Sequence, residues 1–238
     1  MLEPAEIGRA LVITAHPDDV DFGAAGTVAT LTDAGVEVTY CLVTDGDAGG
    51  FDLTIPRPEM AAMRRIEQTR AAKEVGVTSL VFLGHADGRV VADLALRRDL
   101  SRVIRQVQPT LAIIQSPERN FDRIYASHPD HLAAGEASIA AVYPDARNPF
   151  AYPELADEGL DAWTVPEVWV MGGRAPTAHL DVTDQVDRKI RALMCHQTQH
   201  QDPVGIEQRV RAWMGATAQQ MGLPEGRFAE AFQVVDTR

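Results

Sequence analysis

Cysteine is scarce in this sequence, and two residues in 238 are too few for a disulfide framework. Cys41 and Cys195 stand far apart in apolar surroundings, so we expect two reduced, interior thiols. The chain also lacks any run of about 18 consecutive apolar residues, which a membrane-spanning helix needs. Its first ten residues include acidic side chains and no apolar stretch typical of a signal peptide. These absences predict a cytoplasmic protein.

Positive charge is the second shortage, with 22 Lys and Arg against 34 Asp and Glu and a net charge of −12. This balance repels nucleic-acid phosphates and anionic lipids, so we expect neither nucleic acid nor a membrane as a partner. The hydrophobic fraction of 45% and the length suit one folded domain, which we predict over residues 1–238. Composition leaves a homo-oligomer open.

Apolar, β-branched segments alternate with helical patterns along the chain. The strand candidates are 9–15, 36–44, 80–83, 110–115, 168–171, 179–182 and 228–235. The helix candidates are 23–34, 58–75, a helix capped by Asp93, one from Pro129, and two between 186 and 214. This alternation predicts an α/β, Rossmann-like, mostly parallel sheet with helices on both faces. Residues 143–166 break the periodicity, and we expect an excursion that forms one wall of a substrate pocket.

Two motifs that combine histidine with aspartate follow predicted strands. AHPDD at 15–19 follows the first strand and HPDH at 128–131 follows the fourth. Open α/β sheets bind ligands beyond the carboxyl ends of strands where the strand order reverses, so the two loops meet if that reversal separates these strands. Two imidazoles and a carboxylate suit zinc with one position open for water, whose pKa the metal lowers toward about 7. A second carboxylate can serve as general base and a further histidine can stabilise an oxyanion.

With these two motifs the chain resembles the PIG-L/LmbE-like N-deacetylases. The resemblance implies a hydrolase that removes acetyl from an N-acetylglucosamine-like or related small-molecule conjugate, with one Zn²⁺ per chain or another divalent ion. The implied metal ligands are His16, Asp19 and His131. Asp18 matches the family's general base, and His128 matches the histidine that stabilises the tetrahedral intermediate. Asp130 is a candidate hydrogen-bonding partner of His128.

Further segments extend the resemblance along the chain. TDGDAGG at 44–50 is similar to the family's loop after the second strand. Arg64 in MRRIE matches an R-x-x-E helix, and Asp87 matches a D-G turn; both matches imply substrate contacts. HQTQ at 196–199 resembles an H-x-S/T-Q element, which we expect to tie its helix to the sheet.

The sequence departs from the family's pattern in two places. Val20 and Asp21 follow the Asp pair, where many members have Glu. Ala126 stands two residues before the HPDH histidine, where some members have a catalytic Tyr, and Tyr125 is one position away. The metal ligands are unaffected by either departure.

Other functions stay open on the residues alone. Two His and one carboxylate also describe non-haem iron oxygenases and an inactive metal-binding module. GAAG at 23–26 follows the first strand, although the dinucleotide pattern G-x-G-x-x-G is absent. Asp18 could merely cap the helix that follows it. Within the deacetylase interpretation, an amidase for a sugar-linked thiol conjugate is an alternative.

Overall fold

All seven predicted strands lie in one sheet of the computed structural model, which describes the backbone of all 238 residues and every side chain except that of Arg123. The strands are β1 Arg9–Thr14, β2 Glu37–Thr44, β3 Ser79–His85, β4 Leu111–Gln115, β5 Glu167–Met171, β6 Ala178–Asp181 and β7 Ala229–Asp236. Their order is β3-β2-β1-β4-β5-β7-β6, and β7 alone runs in the direction opposite to the other six strands. The predicted mostly parallel, single-domain α/β fold is confirmed.

Helices cover both faces of this sheet, as predicted. They are α1 Asp19–Gly23, α2 Ala25–Asp33, α3 Arg57–Glu74, α4 Leu94–Val107, α5 Pro129–Ala140, α6 Pro153–Asp157, α7 Val186–Met194 and α8 Pro203–Gln220. Apolar side chains of α1, α2, α3, α7 and α8 form one core, and those of α4 and α5 form the other. The helix expected over 23–34 is confirmed as α2, but the short helix before it, α1, was not predicted; the two are separated by a break at Ala24.

Local sequence accounts for α4 and for its attachment to the sheet. The Asp93 carboxylate accepts a hydrogen bond from the Leu96 amide at 2.9 Å, which confirms the predicted cap. Leu96, Leu100 and Ile104 share one helical face and are fully buried. Burying each such side chain contributes about 1.5–3 kcal/mol relative to exposure. The amphipathic pattern therefore sets both the helix and its packing face.

The strand order reverses between β1 and β4, which lie side by side in parallel. The Ala15 amide, just beyond β1, donates to the Gln115 side chain at the end of β4 over 2.8 Å. Gly135 of α5 lies against the same strand end, where an added Cβ would stand 2.5 Å from the Gln115 carbonyl oxygen. The predicted meeting of the AHPDD and HPDH loops is thus confirmed.

The excursion over 143–166 packs along α4. The buried Arg105 guanidinium donates to backbone carbonyls of this segment, including those of Asn148 and Ala151 at 2.9 and 3.0 Å. Trp163 donates to the Pro109 carbonyl, just before β4. This contact lies at the amino-terminal end of β4, whereas the two motifs lie at the carboxyl ends of the strands. A role of the segment as a pocket wall stays a prediction.

Neither cysteine forms a disulfide in the described chain, and Cys41 is buried while Cys195 is half-buried. None of the helices among the described residues is both long and apolar enough to cross a bilayer. The predicted cytoplasmic location and the possible homo-oligomer stay predictions.

Candidate active site

The three predicted metal ligands converge at the carboxyl ends of β1 and β4. His16 follows β1, Asp19 begins α1, and His131 lies in the first turn of α5. His16 Nδ1 lies 3.2 Å from His131 Nε2, and the two Asp19 oxygens lie 3.0 Å from His131 Nε2 and 3.4 Å from His16 Nδ1. Tetrahedral zinc with bonds of about 2.0–2.1 Å separates its ligand atoms by about 3.4 Å. The donor set therefore fits one such cation.

Two further carboxylates contact the opposite nitrogen of the same imidazole. Asp87 Oδ1 and Asp130 Oδ2 lie 3.1 and 3.2 Å from His16 Nε2. Backbone amides hold both carboxylates, since Ala48 N donates to Asp87 and Gly88 N donates to Asp130, each at 2.7 Å. This arrangement directs Nδ1 of His16 toward Asp19 and orients the ring, as carboxylates behind metal-binding histidines do.

These partners differ from the predicted ones. The Asp130 carboxylate was expected to contact His128, but it contacts His16. Only the backbone amide of Asp130 contacts the His128 ring, at 3.2 Å. Asp87 was expected to approach the substrate, and the structure shows that its carboxylate contacts His16. A substrate contact by Asp87 stays a prediction.

The site carries an excess of negative charge around His16. Burial lowers the pKa of this imidazole, but hydrogen bonds with Asp130, Asp19 and Asp87 outweigh it and raise the pKa to about 12. Burial likewise opposes ionisation of Asp19, yet the neighbouring His131 holds the pKa of that carboxyl well below its usual range. The same carboxylates that stabilise a proton here would stabilise a divalent cation, because opposite charges interact strongly where water is largely excluded.

Asp18 lies beside the metal donors in a left-handed backbone conformation, with φ of 92°. Its side chain makes no capping hydrogen bond, so the capping alternative is not supported. Instead its carboxylate accepts from Arg64 Nη2 at 3.2 Å. Burial raises the pKa of Asp18 to about 6, with Arg64 opposing the rise and Asp19 adding to it. At neutral pH the group is ionised but still a better proton acceptor than an ordinary aspartate.

Arg64 is only 4% exposed, and its guanidinium is engaged inside the protein. It donates to Asp18, to the Pro17 carbonyl and, at 2.8 Å, to the Gly46 carbonyl in the glycine-rich loop. The structure therefore gives Arg64 a role beside Asp18, and its predicted contact with substrate stays a prediction.

His128 is an exposed side chain at the mouth of the site and caps α5. Its ring centre lies 5.0 Å from that of His16 and 5.4 Å from that of His131. Partial burial lowers the pKa of His128, and the two neighbouring histidines lower it further. Because Nδ1 accepts the Asp130 amide, the neutral ring carries its proton on Nε2. That N–H is a hydrogen-bond donor beside the metal donors.

The sequence interpretation missed the residues behind Asp18. Gln68 accepts the Asp18 amide at 2.8 Å and donates to Asp21 at 2.9 Å. His196 contacts the same Asp21 oxygen at 2.8 Å. Gln68 lies four residues after Arg64 in α3, hence on the same helical face, and that spacing was the available signal.

Comparison with known proteins assigns the family. The family model PIG-L, described as GlcNAc-PI de-N-acetylase, matches residues 11–142, more than half of the chain. This chain belongs to the PIG-L family. It is 31% identical over 199 residues to the diacetylchitobiose deacetylase of Thermococcus kodakarensis, covering 84% of this chain and 73% of that protein.

Two further PIG-L relatives resemble the chain over most of its length. A probable N-acetyl-alpha-D-glucosaminyl L-malate deacetylase 2 of Bacillus subtilis is 30% identical over 200 residues, covering 79% of this chain and 82% of that protein. The solved N,N'-diacetylchitobiose deacetylase of Pyrococcus horikoshii, complexed with its inhibitor MPG, superimposes with a TM-score of 0.89 at 28% identity. That match covers 97% of this chain and 85% of the other.

The family match and the site agree on the reaction class. This PIG-L chain is a hydrolase of the deacetylase type, which cleaves amide carbon–nitrogen bonds outside peptides. PIG-L deacetylases are metal-dependent, and clusters of His and Asp able to hold a metal ion are present here. The oxygenase, dinucleotide-binding and inactive-module interpretations find no support in the comparisons.

Proposed function

We propose that this PIG-L chain removes the acetyl group from the amide nitrogen of an N-acetylglucosamine-containing small saccharide or conjugate, with Zn²⁺ as cofactor. The observation that carries the proposal is the convergence of His16, Asp19 and His131, whose facing side-chain atoms lie 3.0–3.4 Å apart in pairs, with Asp18 and His128 beside them. The named substrates of the relatives support the acetylated amino sugar.

His16, Asp19 and His131 would hold the cation, whose donor set and spacing suit zinc. When bound, the cation would polarise a water molecule and lower its pKa. Asp18 accepts the proton of the attacking water, for which its raised pKa suits it. The buried Arg64 keeps this carboxylate in place between the Pro17 and Gly46 carbonyls.

His128 donates its Nε2–H to the carbonyl oxygen as negative charge develops there. The carbon–nitrogen bond then breaks, and the proton held by Asp18 passes to the departing amine. A neutral His128 is less able to supply that proton, since its pKa is lowered. The products are acetate and the free amino sugar.

Two substrate types compete within this proposal. The Thermococcus and Pyrococcus relatives are named for diacetylchitobiose, and the Bacillus relative for a glucosaminyl L-malate conjugate. The second type shares its sugar linkage, but no named thiol, with the sugar-linked thiol conjugate given above as an alternative. We place diacetylchitobiose first, because the larger sequence identity and the structural match both point to it.

The test is an assay of zinc-loaded protein with N,N'-diacetylchitobiose, N-acetylglucosamine and an N-acetylglucosaminyl malate, reading acetate and free amine together. We expect equal amounts of both products from at least one substrate, and their loss after chelation. A His131→Ala variant prepared in parallel serves as control for contaminating activity. Protein that holds one zinc ion per chain and releases no acetate from any of the three would refute the proposal.

A further inference from the structure

A buried chain of hydrogen bonds runs from the backbone of Asp18 to a histidine in the C-terminal third of the sequence. The Asp18 amide donates to Gln68 Oε1 at 2.8 Å, and Gln68 Nε2 donates to Asp21 Oδ2 at 2.9 Å. His196 Nε2 lies 2.8 Å from the same oxygen. Gln68, Asp21 and His196 are each 0% exposed, so none of them can touch a substrate.

The chemistry of these groups sets the direction of the chain. An ionised carboxylate only accepts hydrogen bonds, so Asp21 selects the amide nitrogen of Gln68 and turns Oε1 toward Asp18. A Gln68 amide turned the other way would face the Asp18 N–H with its own N–H groups. Because one Asp21 oxygen takes both hydrogen bonds, while Oδ1 has no partner among the described residues, His196 and Gln68 depend on the same atom.

Asp18 needs such support because its backbone is left-handed, with φ of 92° and ψ of −27°. This conformation is unfavourable for a non-glycine residue and persists only where neighbours hold it. The Gln68 contact to the amide, together with Arg64 on the carboxylate, fixes the residue from both ends. The direction of the carboxylate therefore depends on Gln68 being correctly oriented.

The location of His196 is set independently of Asp21. Thr198, two residues later, donates its amide and its hydroxyl to the two Glu67 oxygens at 2.9 and 2.7 Å. Glu67 neighbours Gln68 on α3, so this segment is joined directly to the helix that carries Gln68, one position away from it. The HQTQ segment thus does more than tie its helix to the sheet.

We propose that His196 is a positioning residue for the general base, acting through Asp21 and Gln68 to hold Asp18 in the conformation that directs its carboxylate toward the reacting water. His196 supplies one of the two side-chain hydrogen bonds to the fully buried Asp21 carboxylate, and its removal would leave that oxygen less satisfied where water cannot take its place. The expected effect on kcat rests on the proposed function, but the series of hydrogen bonds from His196 to Asp18 can be tested without it.

The experiment compares His196→Leu, Gln68→Met and the double variant in zinc-loaded protein. We expect kcat to fall at least tenfold in each single variant, with KM and bound zinc unchanged because the three metal donors are untouched. The double variant should be no slower than the slower single variant, since both changes break one chain. His196→Gln, which retains an N–H for Asp21, should recover most of the rate.

Thr198→Val is the matched control, because it loosens the same segment without touching Asp21 or Gln68. It should lower the melting temperature and leave kcat within about twofold. A purely structural role for His196 predicts the reverse pattern, in which His196→Leu and Thr198→Val both lower stability and neither changes kcat of the folded protein. If His196→Leu does not fold, wild-type kcat in Gln68→Met alone overturns the proposal.

A second readout separates this proposal from the deacetylase proposal. The ¹H–¹⁵N resonance of the Asp18 amide reports its hydrogen bond to Gln68, whether or not the protein turns over a substrate. We expect that resonance to move in His196→Leu and to stay in place in Thr198→Val. An inactive wild-type protein would refute the proposed function only. An Asp18 amide resonance that does not move in His196→Leu would refute the proposed role of His196.

Discussion

Replacing Asp18 with Asn should separate catalysis from metal binding and from stability. The amide keeps the size of the side chain and an oxygen for Arg64, but it cannot accept a proton at neutral pH. A general base contributes about 10²–10⁴-fold to rate, which is about 2.7–5.4 kcal/mol of barrier. We expect kcat to fall by that factor while zinc stays bound, because Asp18 is not one of the three donors.

The same substitution should not destabilise the metal-free protein. Burial raises the pKa of Asp18 from its ordinary value of 3.8 to about 6, so its ionised form is disfavoured in the folded state by about 3 kcal/mol. A carboxyl whose pKa rises on folding stabilises the fold at low pH, and that contribution is lost as pH increases through about 6. At pH 8 a neutral amide avoids this cost, and we expect the melting temperature to rise by several degrees.

The assay measures acetate release, zinc per chain by mass spectrometry, and melting temperature with and without chelator. Asp45→Asn is the control, because Asp45 pairs with Arg65 at 2.8 Å in the nearby glycine-rich loop and contacts none of the metal donors described above. It should leave kcat unchanged. Near-wild-type turnover by zinc-loaded Asp18→Asn would show that another group takes the proton, and a large fall in melting temperature would contradict the electrostatic argument.

Three further outcomes follow from the geometry. His131→Ala removes a donor and should reduce bound zinc from one ion per chain toward none by mass spectrometry; unchanged zinc affinity would reject the ligand set. Since protonated Asp18 cannot accept a proton, kcat/KM should fall as pH decreases through about 6. The zinc content of the samples is checked at each pH, and a kcat/KM that rises instead would exclude Asp18 as the base. Gly135→Ala places a Cβ 2.5 Å from the Gln115 carbonyl oxygen and should lower the free energy of unfolding by about 1–3 kcal/mol in denaturant titrations. Gly215→Ala is its control, since an added Cβ there would stand 3.9 Å from the Phe228 ring and alanine is favoured in a helix interior. Equal losses in both variants would show that the close contact is not the cause.

Predictions based on periodicity succeeded for elements whose structure depends only on their own residues. The seven strands and α4 follow from apolar alternation, buried runs and a capping aspartate, all of which are local properties. The helix expected over 23–34 is confirmed as α2, but α1 before it was missed, because α1 begins at the left-handed turn of Asp18, which no propensity indicates. That turn is held by Gln68, a residue 50 positions away.

Predictions of side-chain partners were weaker, because neighbours in sequence need not be neighbours in space. Asp130 was expected beside His128 on proximity alone, yet the first turn of α5 buries Asp130 and leaves His128 exposed. Arg64 was interpreted as a substrate contact, which stays a prediction, and its contacts beneath the AHPDD and glycine-rich loops were not foreseen. These contacts are made between loops that follow β1, β2 and β4, which are distant in sequence, so no local pattern predicts them.

By itself the sequence determined the α/β alternation and the residue types of a metal-assisted hydrolase, since strand periodicity and the chemistry of His and Asp are readable residue by residue. Only the tertiary structure decided that β1 lies beside β4, that Asp87 and Asp130 share one nitrogen of His16, and that His196 stands behind Asp18. The physical reason is that strand order and hydrogen-bond partners result from packing helices on both faces of one sheet, which depends on the whole chain at once.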